Sequence, residues 1–424
     1  MPASTCSRPS PARVAVAGLL LVAAAAPCAA PADPALRAAA NAAQPAVIAS
    51  LKDMVLIESG STDAVGLAKI AGYVEARLQA LGARTERIAP ARGPGSMVKG
   101  SFSGTGTKKL MLIAHMDTVY PAGTLAAEPY RQDGNKLYGP GIADDKGGIA
   151  VILHSLAILK DAGWRDYAQL TVLFNHDEEV GSTTSGETIA QLAEQHDYVF
   201  SAEPTGAKAV ARTEGLLLGA AGTATAILEV KGRSAHAGAA PEAGRNALIE
   251  LAYQLQQTRD IARGIPGAQL NWTMAQAGVV SNQIPEKATA RADVRLTAPG
   301  ADDRLRAALQ ERVKAGHLVA DTETTVTLQV GRPRFLANQR ARALAAQAQA
   351  IYAELDGREL ALHPMTGGAT DAGYASRSGK AVVLESFGLA GSGYHARDEY
   401  IEIDSIAPRL YLMTRVLQSV ARAP

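Results

Sequence analysis

The chain of 424 residues is 47% hydrophobic and carries a formal net charge of +1. A chain of this length can fill a large core and is expected to form more than one domain. Its nearly balanced charge, without basic runs or interleaved aromatic residues, argues against nucleic acid as a partner and favours a small-molecule ligand.

Residues 1–32 have the features of a secretory signal peptide. Two arginines precede an apolar run at 14–26, and small residues follow it. The run is too short to span a bilayer, so a membrane anchor is the weaker alternative. We therefore expect a periplasmic or secreted protein that does not associate with the membrane after cleavage. Cys6 and Cys28 would leave with the leader, so His, Asp and Glu would have to hold any metal in the mature chain.

After the leader, helix-like and strand-like segments alternate. Apolar residues at spacings of three and four predict helices at 41–59 and 66–83. Continuous apolar runs at 109–115 and 169–176 predict strands buried on both faces, with a helix between them at 147–163. This order predicts an α/β fold whose sheet is mostly parallel, with helices on both faces. Ligands of such sheets bind at the carboxyl ends of the strands.

Residues 222–330 are predicted to form a smaller α+β domain inserted into the larger one. Its segments switch between alternating polarity and helical spacing. In chain order they are strand 223–238, helix 242–262, strands 271–280 and 287–298, and helix 302–316. The larger domain is therefore expected in two parts, 33–221 and 331–424, with a final helix from Ile406.

Residues that can bind metal follow several of the predicted strands. His115 and Asp117 lie two apart on an extended segment, so the carboxylate can hold the imidazole. Further acidic and histidine residues at strand ends or turns are Asp144, Asp145, Glu178, Glu179, Glu203 and His395. Singly, a strand-end histidine is more often structural and paired acids are usually solvated. Together at one sheet edge, these like charges would repel one another without a cation, which indicates a metal site.

Seven motifs carry a resemblance to a known family. In chain order they are HMDTVYP, GPGIADDKGG, FNHDEEVGS, SAEPT, SAHAGAAPE, GGATDAG and GYHARDEY. With them the chain resembles the di-zinc exopeptidase family of aminoacylases, succinyl-diaminopimelate desuccinylase and bacterial glutamate carboxypeptidase, and most of all the folate-cleaving glutamate carboxypeptidases. The resemblance implies a catalytic α/β domain, an inserted lid that carries the contact of a homodimer, and two zinc ions per subunit.

Residue by residue, the resemblance implies two zinc sites that share one ligand. Asp144 would bridge the two ions. His115 and Glu203 would complete one site, and Glu179 and His395 would complete the other. The family also implies a cis peptide bond directly after the bridging aspartate.

The resemblance also implies catalytic and substrate-binding roles. Glu178 would be the general base that moves a proton from water to the leaving nitrogen, and Asp117 would orient the first histidine ligand. His236 in the lid would reach the active site of the partner subunit. Asn282 and Arg332 match substrate-holding positions, where the guanidinium suits a forked grip on a free α-carboxylate. Their structural alternatives are a turn asparagine and a surface arginine.

Three functions remain open at this stage. The first is a zinc glutamate carboxypeptidase that acts on N-acylated glutamate such as folate, and the second is an aminoacylase or dipeptidase with another preference. The third is a zinc-binding or peptide-binding protein without activity. Glu178 argues against the third, because a binder needs ligands but no base. His176, next to the acidic pair, is expected to be exposed and not to bind metal.

Overall fold

A computed structural model describes residues 32–423. The predicted signal peptide lies outside the described residues except for Ala32. The helices are α1 (Pro34–Val55), α2 (Ala64–Leu81), α3 (Thr124–Ala127), α4 (Lys146–Asp161), α5 (Gly186–Ala193), α6 (Lys208–Ala211), α7 (Ala247–Thr258), α8 (Ala301–Lys314), α9 (Gln339–Ala353), α10 (Ala372–Ala375) and α11 (Ile406–Ala421). Within residues 32–423, no helix is long and apolar enough to cross a membrane.

The strands fall into several sheets. They are β1 (Arg84–Ile88), β2 (Met97–Ser103), β3 (Lys109–His115), β4 (Arg131–Asp133), β5 (Lys136–Tyr138), β6 (Gln169–Asn175), β7 (Tyr198–Ser201), β8 (Thr205–Gly206), β9 (Gly215–Leu217), β10 (Gly219–Ala220), β11 (Gly222–Lys231), β12 (Ala235–His236), β13 (Ala268–Ala277), β14 (Gln283–Ile284), β15 (Lys287–Leu296), β16 (Glu323–Val330), β17 (Phe335–Leu336), β18 (Ala361–His363), β19 (Val382–Leu384), β20 (Ala390–Ser392) and β21 (Tyr400–Glu402).

The first two helices begin where an aspartate caps them. The carboxylate of Asp33 accepts hydrogen bonds from the first free N–H groups of α1, and Asp63 does the same for α2. Gly82, in the left-handed region at φ 97°, ends α2 because a glycine has no β carbon to clash there. Local chemistry therefore sets the ends of these helices, while their apolar faces pack into the core.

The main sheet is mixed, with strand order β1-β2-β6-β3-β7-β19. The last four strands of this order are parallel, and β1 and β2 extend the sheet in antiparallel fashion. Continuous apolar strands and crossover helices produce the parallel part, so the predicted α/β fold is confirmed. β3 and β6 end together, with His115 opposite Asn175, so the segments that follow both strands share one edge.

A second layer has its own apolar core. Its antiparallel sheet has the order β13-β15-β11-β16, and α7 and α8 pack against it. Alternate residues of β11 are buried, as the alternating sequence predicts. We call the elements from β11 to β16 the lid. The domain boundaries at 222 and 330 stay predictions from the sequence.

A third sheet was not predicted from the sequence. Its order is β4-β5-β21-β20-β8. β5 pairs with β21, so the turn after β5 lies beside the loop between β20 and β21. This pairing brings residues 139–145 next to residues 393–399, which are far apart in the chain. The sheet thus carries two of the candidate ligands, Asp144 and His395.

Candidate active site

His115, the last residue of β3, is buried with both ring nitrogens occupied. Nδ1 lies 3.0 Å from the backbone oxygen of Asp117 and 3.4 Å from its Oδ1. Nε2 lies 2.9 Å from Oδ1 of Asp144 and 3.8 Å from Oε1 of Glu203. Burial lowers the pKa of His115, but hydrogen bonds to Asp117 and Asp144, together with the charges of Glu203 and Glu178, hold that pKa well above its usual value. A cation at Nε2 would replace this proton.

Asp144 lies between two histidines. While its Oδ1 faces His115, its Oδ2 lies 3.5 Å from Nε2 of His395. The same nitrogen of His395 lies 3.1 Å from Oε2 of Glu179. The peptide bond after Asp144 is cis, as the resemblance implies. One carboxylate therefore joins two clusters, one at His115 and one at His395.

The donor atoms of these clusters fit divalent cations. Ligand atoms of His115, Glu178 and Glu203 lie within 4.8 Å of one another, and so do those of His115, Asp144 and Glu179. Burial raises the pKa of Glu203 well above its usual value, and the charge of Glu178 raises it further. A cation would relieve this repulsion. Imidazole nitrogens and carboxylate oxygens, with no cysteine in residues 32–423, suit zinc or a similar borderline metal.

Asp117 connects the histidine to the acidic pair. Its Oδ1 accepts the N–H of Glu178 at 3.0 Å, and its Oδ2 accepts the N–H of Glu179 at 3.1 Å. The hydroxyl of Ser61 also donates to Oδ2, at 2.7 Å. The buried carboxylate therefore fixes both the ring of His115 and the backbone of the two glutamates. Ser61 was missed because nothing in its local sequence marks it.

Arg332 contacts Glu178 directly. Its side chain is 5% exposed, and Nη1 lies 2.5 Å from Oε1 of Glu178. The guanidinium also donates to the backbone oxygens of Glu178 and Ala369 and, at 3.1 Å, to the hydroxyl of Ser182. Burial raises the pKa of Glu178 well above its usual value, although Arg332 lowers it. Arg332 is thus not a surface residue, and its substrate-binding role stays a prediction.

A cavity of about 830 Å³ extends from this cluster to the lid; the charged and histidine residues described above that line it are Asp144, Glu178, Glu179, Glu203, Arg332 and His395. On the lid side, Asp293 and Arg295 face it from β15. Arg295 is held by Asp293 through two hydrogen bonds of 2.9 and 3.1 Å. Leu217 and His363, from the paired strands β9 and β18, also line the cavity. Arg295 was missed, although charges at alternate positions of β15 mark the face that turns away from the lid core.

His236 and Asn282 do not line this cavity. Both are exposed on the lid, in and beside the short β12–β14 ladder. Nδ1 of His236 accepts the N–H groups of Gly238 and Ala239, at 3.2 and 3.1 Å. The proton of a neutral ring therefore sits on Nε2, which is free to donate. Their roles in catalysis and substrate binding stay predictions.

The expected exposure of His176 is wrong. The side chain is 1% exposed, and Nε2 lies 3.2 Å from the hydroxyl of Thr184. The loop before β2 covers the ring so closely that a β carbon at Gly95 would lie 2.9 Å from its Cδ2. This tertiary contact could not be read from the neighbouring sequence. His176 belongs to neither group of candidate ligands.

Comparison with known proteins identifies the family. Residues 111–419 match peptidase family M20/M25/M40. The chain is 44% identical to carboxypeptidase G2 from Pseudomonas sp. over 418 residues, which cover 97% of this chain and 99% of that protein. The chain belongs to peptidase family M20/M25/M40. The resemblance seen in the sequence is confirmed, and the chain is a metallo-exopeptidase similar to carboxypeptidase G2.

A more distant relative and a solved structure are also similar to this chain. Succinyl-diaminopimelate desuccinylase from Gluconobacter oxydans is 27% identical over 323 residues, which cover 73% of this chain and 81% of that protein. The crystal structure of aminopeptidase PepT from Bacillus cereus has a TM-score of 0.69 at 20% identity and covers 89% of this chain and 99% of that one. This structural similarity supports the fold and carries no statement about substrate.

Proposed function

We propose that the chain is a periplasmic or secreted zinc carboxypeptidase that hydrolyses the amide bond before a C-terminal glutamate, as in folate-like substrates. The observation that carries the proposal is the position of Asp144 between the His115 and His395 clusters, with Glu178 beside them. The resemblance of the chain's motifs to those of the bacterial glutamate carboxypeptidases supports the glutamate preference.

In this proposal five side chains would hold two zinc ions. Asp144 would contribute to both sites, His115 and Glu203 would complete one, and Glu179 and His395 would complete the other. When bound, the ions polarise the scissile carbonyl and lower the pKa of water.

The proposed role of Glu178, which is not among these five ligands, is proton transfer. It accepts a proton from the attacking water at its carboxylate and delivers that proton to the leaving nitrogen. Its buried position beside the candidate metal ligands suits a group that passes a proton from one partner to the other. Asp117 keeps the backbone of Glu178 in place during both steps.

Two arginines in the cavity suit a substrate with two carboxylates. Arg332 is the proposed anchor of the α-carboxylate, and its present partner Glu178 would then share it with the substrate. Arg295 lines the lid side of the cavity, and in this proposal it would bind a second carboxylate. A glutamate side chain supplies that second charge, whereas a neutral amino acid does not.

The lid is the proposed dimer contact. Apolar side chains are exposed on α7, on β13 and in the turn after it; they are Leu248, Ile249, Met274 and Val279, the last at 96%. β13 is also an edge strand of its sheet, with hydrogen-bonding groups free to pair with a second copy. Exposed apolar groups around an open edge are typical of an association surface. In such a dimer, Nε2 of His236 would donate to the substrate carbonyl oxygen in the partner's cavity.

An aminoacylase or dipeptidase of the same family is the alternative, supported by the similarity to desuccinylase. Purified enzyme, stripped with a chelator and reloaded with zinc, should be assayed on one acyl group linked to glutamate, glutamine, alanine or lysine, with the free amino acid as readout. We expect glutamate to be preferred by more than tenfold in kcat/KM, since glutamine keeps the shape and loses the charge. Equal rates for glutamate and glutamine would contradict the proposed specificity and favour the alternative.

A further inference from the structure

The carboxylate of Glu399 accepts hydrogen bonds from backbone N–H groups of the turn that contains Asp144. Glu399 lies four residues after His395, on the loop between β20 and β21, and it is 2% exposed. Oε1 accepts the N–H groups of Ala143 at 2.8 Å and Asp144 at 3.0 Å, and Oε2 accepts the N–H of Gly141 at 2.9 Å. One carboxylate thus holds three N–H groups of a single turn.

Tyr120 joins this arrangement from a third segment, the loop after β3. Its hydroxyl lies 2.7 Å from Oε2 of Glu399 and 2.8 Å from the backbone oxygen of Ala396, so its one proton can go to either acceptor. Ala396 directly follows His395. The phenol therefore links the loop of His395 to the carboxylate that holds the turn of Asp144.

A buried carboxylate is costly unless its charge is compensated. Around Glu399 the compensation comes from four donors and from the buried ammonium of Lys146, with which it interacts favourably. A neutral side chain could not accept all four hydrogen bonds, since an amide has one oxygen. The geometry of the turn thus depends on this particular group.

The ring of His395 makes few contacts of its own, although its loop is also held by Tyr394, whose hydroxyl can donate to the backbone oxygen of Thr205 or Gly391. His395 has φ 60°, in the left-handed region, and its side chain is 56% exposed. Its ring contacts only the candidate ligands Asp144 and Glu179 among the ion pairs of the described residues. The distance between Asp144 and His395 is therefore set by how their two loops are held together.

We infer that Glu399 and Tyr120 are positioning residues that set the spacing of Asp144 and His395 and thereby the affinity of the metal site completed by His395. The inference rests on the proposed two-metal site. Neither residue needs to touch metal or substrate; each acts through the backbone that carries a ligand. Partners of this kind typically change metal affinity by about tenfold to a hundredfold.

The test is a zinc titration of metal-free protein against a chromophoric chelator, with zinc alone as the probe. Wild type should bind two ions. Tyr120→Phe should weaken one of the two by about tenfold and leave the other near wild type. Glu399→Gln should weaken that site further, toward a hundredfold, and should also weaken the other site, because the shared ligand Asp144 lies on the turn that Glu399 holds. Tyr73→Phe is the matched control, because Tyr73 is also half-buried and its hydroxyl accepts a hydrogen bond, from Arg77, at 2.7 Å. It should leave both affinities unchanged.

The melting temperature of the metal-free proteins separates positioning from simple support of the fold. We expect Tyr120→Phe to melt near wild type without zinc. The inference is overturned if Tyr120→Phe binds both ions as tightly as wild type, or if it only lowers the melting temperature of the metal-free protein. If Glu399→Gln does not fold, Tyr120→Phe alone decides. A wild type that binds fewer than two ions would instead overturn the proposed function.

Discussion

Nη1 of Arg332 lies 2.5 Å from Oε1 of Glu178, so the proposed substrate anchor and the proposed base are in direct contact. The two residues are 154 positions apart, and both are buried. A substrate carboxylate that reaches this guanidinium would compete with Glu178 for it. Binding of the correct substrate would then also change the electrostatic surroundings of the base.

Arg332→Met should lower kcat/KM on an N-acyl-glutamate by more than tenfold. Methionine keeps much of the stem volume and removes the fork, and a stranded carboxylate costs about 2 to 5 kcal/mol. On the same substrate with its α-carboxylate blocked as an amide, Arg332→Met should lower kcat/KM much less. Because Arg332 also touches Glu178, the ratio of the two kcat/KM values is the informative quantity, since it cancels any effect on the base.

Arg295→Met, measured in parallel, tests the second carboxylate. It should reduce the preference for glutamate over glutamine. The ratio of kcat/KM on the free substrate to kcat/KM on the blocked substrate should stay near wild type. If Arg332→Met lowers kcat/KM equally on the free and the blocked substrate, Arg332 supports Glu178 and the fold, and another residue binds the α-carboxylate.

Mixed dimers should reveal whether His236 works in the neighbouring subunit. His236→Ala and Glu178→Ala chains are each expected to be nearly inactive alone. If the chains mix randomly, half of the dimers are hybrids with one complete site each, so about a quarter of wild-type activity should return. Hybrid dimers that form, as seen by mass spectrometry with one chain tagged, and yet stay inactive would assign His236 to its own subunit or to the fold.

The buried imidazole of His154 should give the protein a distinct acid sensitivity. Its Nε2 lies 2.9 Å from the hydroxyl of Ser50, and burial, together with the charge of Arg77, lowers its pKa from 6.5 to about 4. Between these two values the unfolded chain binds a proton that the folded protein rejects. The buried neutral ring therefore carries no penalty above pH 6.5. As the pH falls toward 4, it lowers the free energy of unfolding by about 3 kcal/mol.

His154→Gln removes the titrating ring and keeps a side chain that can bond to Ser50. Denaturant unfolding of metal-free wild type and variant from pH 7.5 to 4 should show a difference in the free energy of unfolding that shrinks or reverses on acidification. A difference that is constant with pH would mean that His154 is not the titrating group.

The parts predicted from the sequence are those whose signal is local. β3 was found because its apolar run is continuous, and α4 and α11 because each is a long, mainly apolar segment. The acidic strand ends followed from them. β4 was missed because its three residues are all exposed and carry no period. β1 was not predicted either, because exposed and partly buried residues do not alternate regularly along it. Nothing in these short strands distinguishes them from loops.

The contacts that complete the site are non-local, and this limited the prediction. His176 was placed at the surface because the covering loop near Gly95 lies about eighty residues away in sequence. Glu399 stands in a quoted motif, but its partners on the 139–145 turn appear only when β5 pairs with β21. The candidate ligands, and Asp117 beside His115, could be named in advance, whereas Ser61 and the residues that hold the turn of Asp144 could not.

Zinc content and turnover measured together on Glu178→Gln test the central claim most directly, since Glu178 has donor atoms close enough to be a ligand. As a base without a metal bond, Glu178 can be replaced with a loss of at least about a thousandfold in kcat while close to two zinc ions stay bound. Asp144→Asn is the contrast, and it should lose zinc and activity together. A Glu178→Gln protein that loses zinc in step with its activity, or that keeps near wild-type turnover, would contradict the account.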